Sequence, residues 1–365
     1  METKARRLVR QDVIDLQPYT PVESPESLAE RLGMPIDMIL KLDSNENPYG
    51  CSILVQEALG AFDRYHHYPD AQARRVRERI GTYADANPDR IVIGNGSDEL
   101  IDLILLVSLE PGDEVIIPTP TFGVYKARSE LFGGRAVEIG RDANFDLDMP
   151  AILDAISERT KIIFVTAPNN PTGNPVSQQE MVQLLNTGAL VIADEAYYEF
   201  SAKTFVPLTK EFDNLIVLRT FSKWAGIAGL RLGYGIFPEM IAAQLWKVKS
   251  PFNVSVAALK AAEASLDDLE YLHMTINRIR NEQRRLRRRL DGLDFVKTYP
   301  SATNFILCEM IGIDAHDVHQ RLADRGIMVR GYGDSELRNF LRISVGRAED
   351  TNRLITALQT IGSNV

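Results

Sequence analysis

Thr220-Phe221-Ser222-Lys223-Trp224 is the segment of this 365-residue chain with the strongest chemical character. A lone lysine is ordinarily solvated. This one sits among hydroxyls and an indole, and a second cation, Arg231, follows eight residues later. A lysine drawn partly out of water beside another cation has a lowered pKa, so its amine becomes a usable nucleophile. Thr220, Ser222 and Arg231 together could also hold one face of a phosphate. Earlier in the chain, Gly94-Asn95-Gly96-Ser97-Asp98-Glu99 joins a short strand to an apolar helix. A glycine there lets backbone N–H groups approach an anion, and the helix dipole favours phosphate. Ser97 reads as the N-cap of a helix over Asp98–Leu109. The dinucleotide fingerprint is incomplete, because its third glycine is missing.

Two further segments end apolar runs. Asn169-Asn170-Pro171-Thr172-Gly173 is a loop on any reading. Asp194-Glu195-Ala196-Tyr197 puts a carboxylate where it could cap a helix or pair with a cationic ligand atom. Taken singly, each has a plain alternative: a capped helix, a turn, a surface lysine. Their order is what narrows the chemistry. A phosphate turn, an Asn-Pro loop, an Asp-x-x-Tyr strand end and a Ser-Lys…Arg strand end together describe a pyridoxal-phosphate site. That cofactor needs a lysine for a Schiff base, a carboxylate for its ring nitrogen, donors for its phenolic oxygen and a cup for its phosphate.

The elements that must position these residues are legible as short β-branched runs at Ile91–Ile93, Glu114–Ile117, Ala136–Ile139, Ile162–Thr166, Leu190–Ala193, Ile216–Leu218 and Leu232–Ile236. Helical stretches such as Met149–Ser157 and Gln178–Asn186 lie between some of them. Continuous apolar strands separated by helices predict a largely parallel sheet covered on both faces. Leu269, Leu272, Ile276, Ile279, Gln283, Leu286 and Leu290 recur at 3,4 spacing, which predicts a long amphipathic helix stopping near Gly292. Its outer arginines, Arg278 to Arg289, read as a solvated face. Strand-like runs at Asn304–Cys308, Ile327–Arg330 and Phe340–Val345, with a helix at His316–Asp324, form a smaller α+β lobe. The Pro-rich start carries one short helix near Ser27–Gly33. The expected division is an arm over 1–47 that contributes to the small domain, a large domain over 48–250 and a small domain over 251–365.

Composition sets limits on this reading. The 41 basic and 50 acidic side chains leave a net charge of −9, which argues against general nucleic-acid binding. Cys51 and Cys308 are too few for a disulfide framework or a thiolate metal site. His66 and His67 suit loop packing, and His316 and His319 share one helix face without a third ligand, so no metal is expected. The charged N-terminus lacks an apolar signal core, and no run reaches membrane-spanning length. The expectation is a soluble, cytoplasmic protein.

Over nearly its whole length the chain resembles the class II, fold type I aminotransferases, most of all their histidinol-phosphate branch. The resemblance rests on Pro18-Tyr19, Leu42-Asp43-Ser44-Asn45-Glu46-Asn47-Pro48, Tyr68-Pro69-Asp70, Ser222-Lys223…Ala228-Gly229-Leu230-Arg231 and Phe340-Leu341-Arg342-Ile343-Ser344-Val345-Gly346. It implies an α/β fold with a mostly parallel central sheet in a large domain and a smaller α+β domain. It implies pyridoxal 5'-phosphate on Lys223, with that lysine also serving as acid and base. Asp194 would pair with the ring nitrogen, Asn170 and Tyr197 would donate to the phenolic oxygen, and Phe122 would stack on the ring. Gly96, Ser97, Thr220, Ser222 and Arg231 would hold the phosphate, reached by Tyr68 from a second subunit of a homodimer. Tyr19, Asn47, Arg330 and Arg342 would bind substrate. The implied reaction converts histidinol phosphate and 2-oxoglutarate to imidazole acetol phosphate and glutamate. An aromatic amino-acid aminotransferase and a phospho-amino-acid decarboxylase are the alternatives on this scaffold. A cofactor-binding regulator is a third, from another class.

Overall fold

Alternating residues of the central apolar runs belong to two different cores, and that separation builds the large sheet. In the computed structural model, which describes residues 4–15, 23–333 and 336–363, Ile163 and Val165 enter one core while Ile162 and Phe164 enter the other. Val191 and Ala193 are likewise separated from Ile192. Side chains alternate across a strand, so a run that is apolar at every position must be covered on both faces.

Twelve strands result, in chain order β1 Leu40–Leu42, β2 Ile91–Gly94, β3 Glu114–Thr119, β4 Arg135–Gly140, β5 Thr160–Thr166, β6 Leu190–Asp194, β7 Leu215–Thr220, β8 Gly233–Ile236, β9 Val296–Thr298, β10 Phe305–Met310, β11 Ile327–Gly331 and β12 Phe340–Ser344. The large sheet has the order β2-β8-β7-β6-β5-β3-β4. Neighbours from β7 through β4 run parallel, and β8 is antiparallel to both β7 and β2. This is the mixed, largely parallel α/β sheet expected from the sequence. The carboxyl ends of β5, β6 and β7 therefore lie side by side, with Thr166 in register with Asp194.

The second sheet has the order β1-β11-β12-β10-β9. Its outer strand β1 comes from the N-terminal segment and pairs parallel with β11, Leu40 opposite Ile327. The helix Leu269–Leu290 links the two regions in sequence and buries Leu272, Ile276, Ile279, Leu286 and Leu290. Gln283, the one polar residue of that seam, is half-buried and donates to the carbonyls of Ser301 and Thr303 at 2.8 and 3.3 Å. The helix ends at a cap on Asp291, one residue before the glycine expected to stop it.

One glycine fixes where the N-terminal segment docks. Gly226 has φ +69°, and a Cβ there would stand 2.3 Å from the Gly50 carbonyl. Only a residue without a side chain lets these backbones meet, three positions after Lys223. No helix among the described residues is long and apolar enough to cross a membrane.

Candidate active site

At the carboxyl ends of the central strands a cavity of about 140 Å³ is lined by Ser97, Phe122, Asn170, Asp194, Tyr197, Thr220, Ser222, Lys223 and Arg231, together with Asp98, Tyr125, Thr166 and Ala196. Segments far apart in sequence converge here because parallel strands present all their exit loops at one edge. A wider cavity of about 640 Å³, lined by Tyr83, Glu199 and His273, contains none of these groups, so size does not pick the site.

Lys223 follows β7 and is half-buried; its Nζ donates to the Ser44 carbonyl at 2.9 Å. Burial, and then the nearby Arg342 charge, push its pKa down to about 8. Asp194, at the end of β6, is 4% exposed. It accepts from the Tyr125 hydroxyl at 2.6 Å and from the Ala196 N–H at 3.0 Å, and burial raises its pKa to about 6. No cation pairs with it among the described residues, so it is a dry acid turned toward the cavity. The capping role open to it in the sequence amounts to the single turn bond to Ala196.

The side of the cavity formed by Ser97, Ser222 and Arg231 is rich in donors, with the Asp98 carboxylate beside Arg231. Gly96 has φ +76°, and a Cβ there would sit 2.6 Å from Arg231 Nη2. Arg231 pairs with Asp98 at 2.9 Å and donates to Ser222 Oγ at 3.3 Å. The helix begins at Gly96, with Asn95 as cap, and not with Ser97 at the cap as the sequence suggested. Two bonds set this start: the Glu99 carboxylate takes the Asn95 N–H at 2.6 Å, and the Gly96 N–H donates to the Arg231 carbonyl at 3.1 Å. Ser97 therefore stands in the first turn, where helix N–H groups lack internal partners. The Thr220 hydroxyl accepts from the Ser222 N–H at 3.0 Å and shapes the turn that carries Lys223.

These features fit a phosphorylated, ring-bearing aldehyde with a basic ring nitrogen. The buried carboxylate suits the nitrogen, the pKa-lowered amine suits the aldehyde, and the Gly96–Ser97–Arg231 cradle suits the phosphate. Phe122 lies on the cavity wall, edge-on to Tyr125 at 5.6 Å between ring centroids.

The small sheet brings the remaining residues. Arg330 of β11 stands in register with Arg342 of β12, so the two guanidinium groups leave neighbouring strand positions. Arg342 donates to Asn170 Oδ1 at 2.6 Å and to the Asp43 carbonyl at 2.5 Å. Arg330 lines a separate cavity of about 460 Å³ with Asp43, His319, Arg338 and Phe340. Asn47 does not line either of these cavities. Its amide donates to the Trp224 carbonyl at 2.7 Å and accepts from the Tyr49 N–H at 2.9 Å, so both ends serve the backbone. Tyr68 lies away from this chain's cavity, 81% exposed, stacked on Phe252 at 4.5 Å. Tyr19 lies outside the described residues. Among the described residues no cluster of His, Cys, Asp or Glu is placed to hold a metal ion.

Sequence reading passed over Tyr125, which holds Asp194, and Asn45, which donates to the Tyr197 hydroxyl at 2.9 Å. Asn45 lay inside a quoted motif, but nothing in the order Asn45-Glu46-Asn47 tells which amide faces the site.

The family model for aminotransferase class I and II matches residues 37–358. A histidinol-phosphate aminotransferase of Dehalococcoides mccartyi (strain ATCC BAA-2266 / KCTC 15142 / 195) is 42% identical, covering 98% of each chain. The chloroplastic histidinol-phosphate aminotransferase of Nicotiana tabacum is also 42% identical, over 96% of this chain and 86% of that one. Among solved structures, the histidinol-phosphate aminotransferase of Sinorhizobium meliloti in complex with pyridoxal-5'-phosphate superposes with a TM-score of 0.88 at 26% identity, covering 98% of both chains. A lysine, a buried acid and a phosphate cradle at the edge of a mostly parallel sheet thus occur in a chain that belongs to the class I and II aminotransferases.

Proposed function

We propose that this enzyme transfers the amino group of L-histidinol phosphate to 2-oxoglutarate, giving imidazole acetol phosphate and L-glutamate, with pyridoxal 5'-phosphate as cofactor. The observation that carries the reading is the convergence of Lys223, Asp194, Ser97 and Arg231 on one cavity, in a chain 42% identical to a named histidinol-phosphate aminotransferase over nearly its full length. When bound, the cofactor supplies an electron-withdrawing ring that acidifies the bonds at the carbon bearing the amino group.

Each residue has a task that follows from its surroundings. Lys223 would hold the aldehyde carbon, and its amine, with a pKa near 8, is suited to take a proton from the substrate carbon and return one. Asp194 would keep the ring nitrogen protonated through a charge-assisted hydrogen bond. Asn170 and Tyr197 would meet the phenolic oxygen, and Phe122 would cover the ring. Ser97, Ser222 and Arg231 would grip the cofactor phosphate. Arg342 would present a bidentate fork to the carboxylate of glutamate or the phosphate of histidinol phosphate, with Arg330 assisting. Tyr68, exposed and stacked on Phe252, would reach the cofactor phosphate of a second copy, which makes the enzyme a homodimer with shared sites. Residues 1–47, 48–250 and 251–365 would be arm, large domain and small domain, and the enzyme would work in the cytoplasm.

Single-turnover conversion of the cofactor, followed by its visible absorbance, tests the substrate. Histidinol phosphate and glutamate are expected to react well and phenylalanine poorly; phenylalanine reacting fastest would favour an aromatic amino-acid aminotransferase. Arg330→Ala is expected to weaken histidinol phosphate about 10-fold more than glutamate, through loss of a charge-assisted contact. Equal losses would count against the phosphate role.

A further inference from the structure

We propose that Asn45 is a positioning residue that aims the Tyr197 hydroxyl proton into the cofactor cavity. The inference rests on the reading of Tyr197 as a donor to the cofactor's phenolic oxygen.

Asn45 is 1% exposed and holds φ +56°, a left-handed conformation that asparagine tolerates better than most residues. Its Nδ2 donates to the Tyr197 hydroxyl oxygen at 2.9 Å. The Ser344 hydroxyl settles which way the amide faces. Ser344 Oγ accepts from the Asn45 N–H at 2.9 Å and lies 2.7 Å from Asn45 Oδ1. With its own proton on Oδ1, every group is matched. Turned over, the amide would leave the Ser344 proton without that acceptor and would face Tyr197 with a carbonyl.

Because the Tyr197 oxygen accepts from Asn45, the tyrosine proton is directed elsewhere. The ring is 3% exposed and its residue lines the cavity with Lys223, Asn170 and Asp194. Asn45 itself does not line that cavity, so it acts through the tyrosine. Its carbonyl accepts from Asn304 Nδ2 at 2.9 Å, and Ser344 ends β12, so the same residue ties Tyr197 to the small sheet.

The test is a pH titration of the visible band of the cofactor-loaded protein. A donor to the phenolic oxygen stabilises the form in which that oxygen is an anion, so losing the donor raises the midpoint. Tyr197→Phe is expected to raise it. Asn45→Asp keeps the acceptor for Ser344 but turns the tyrosine proton toward a carboxylate; Asn45→Gly keeps the left-handed backbone and removes the amide. Both are expected to raise the midpoint by about half a unit or more, the scale of one hydrogen bond. Asp194 and Arg342, whose charges act on the tyrosine, are unchanged in both, and Asn45→Gly adds no charge of its own. Adding Asn45→Gly to Tyr197→Phe is expected to cause no further shift. If the Asn45 variants leave the midpoint unmoved while Tyr197→Phe raises it, or if the effects add, the proposal is overturned and the role of Tyr197 survives. If Tyr197→Phe itself moves nothing, the underlying reading of Tyr197 fails, and this inference with it.

Discussion

Asp194 places a cost on the cofactor-free protein. Its carboxyl ordinarily titrates near 3.8 and is raised to about 6 by burial. Between those two values the folded protein binds more protons than the unfolded chain, so stability falls as pH rises through that window. Above pH 6 the full penalty stands, up to about 3 kcal/mol from the size of the shift. Asp194→Asn is therefore expected to melt higher than wild type at pH 7.5 without cofactor, the difference vanishing below pH 4. With cofactor the order reverses, because a protonated ring nitrogen supplies the missing cation; binding is expected to weaken about 100-fold in the variant. Thermal melts with and without cofactor measure both signs. Borohydride reduction is expected to label Lys223, and Lys223→Ala is expected to lose about 10⁴-fold in turnover. These two residues were legible through their order in the chain with the Gly-rich turn and the Asn-Pro loop, and not singly. Tyr125 was not, since a tyrosine inside a helical stretch reads as core until the fold brings its hydroxyl to Asp194.

At the level of strands, Arg219 and Glu195 join the neighbouring exits of β7 and β6. The pair is 2.9 Å apart and almost wholly buried. Arg219 also lies over the Tyr198 ring at 3.6 Å and donates to Thr204 Oγ1 at 2.7 Å. Because Glu195 follows Asp194 and Arg219 precedes the Lys223 turn, this pair sets the spacing between acid and amine. Removing one partner of a buried pair leaves an uncompensated charge, so Glu195→Gln is expected to cost about 3–5 kcal/mol in denaturant unfolding. The seven strand runs were readable from their continuous β-branched character, and the long helix from its 3,4 spacing. The three-residue strands β1 and β9 carry neither signal; their partners alone make them strands. The helix start at Gly96 was misplaced by two residues because its determinants, Glu99 and the Arg231 carbonyl, include a distant residue.

For the whole molecule, the shared-site reading makes a prediction that needs no structure to check. Cofactor-loaded Lys223→Ala and Tyr68→Ala proteins, each inactive or nearly so, are expected to regain roughly a quarter of wild-type turnover after unfolding and refolding together, because a mixed pair contains one intact site. No recovery, with pairs formed, would place Tyr68 outside the partner's chemistry. Composition and charge had already excluded broad classes at this scale, but not the path of the chain, which depends on long-range pairings, one of which ties the N-terminal segment to the small sheet.

That pairing is β1 against β11, Leu40 beside Ile327. During synthesis the amino-terminal strand leaves the ribosome long before its partner exists and must wait for it. Asp43 and Ser44, whose carbonyls accept from Arg342 and Lys223, wait with it. The nascent chain can thus finish its large sheet and still lack a competent catalytic centre. What must wait for the carboxyl-terminal strands is the bond from Arg342 to the Asp43 carbonyl, so a half-made copy lacks the Arg342 side of its site.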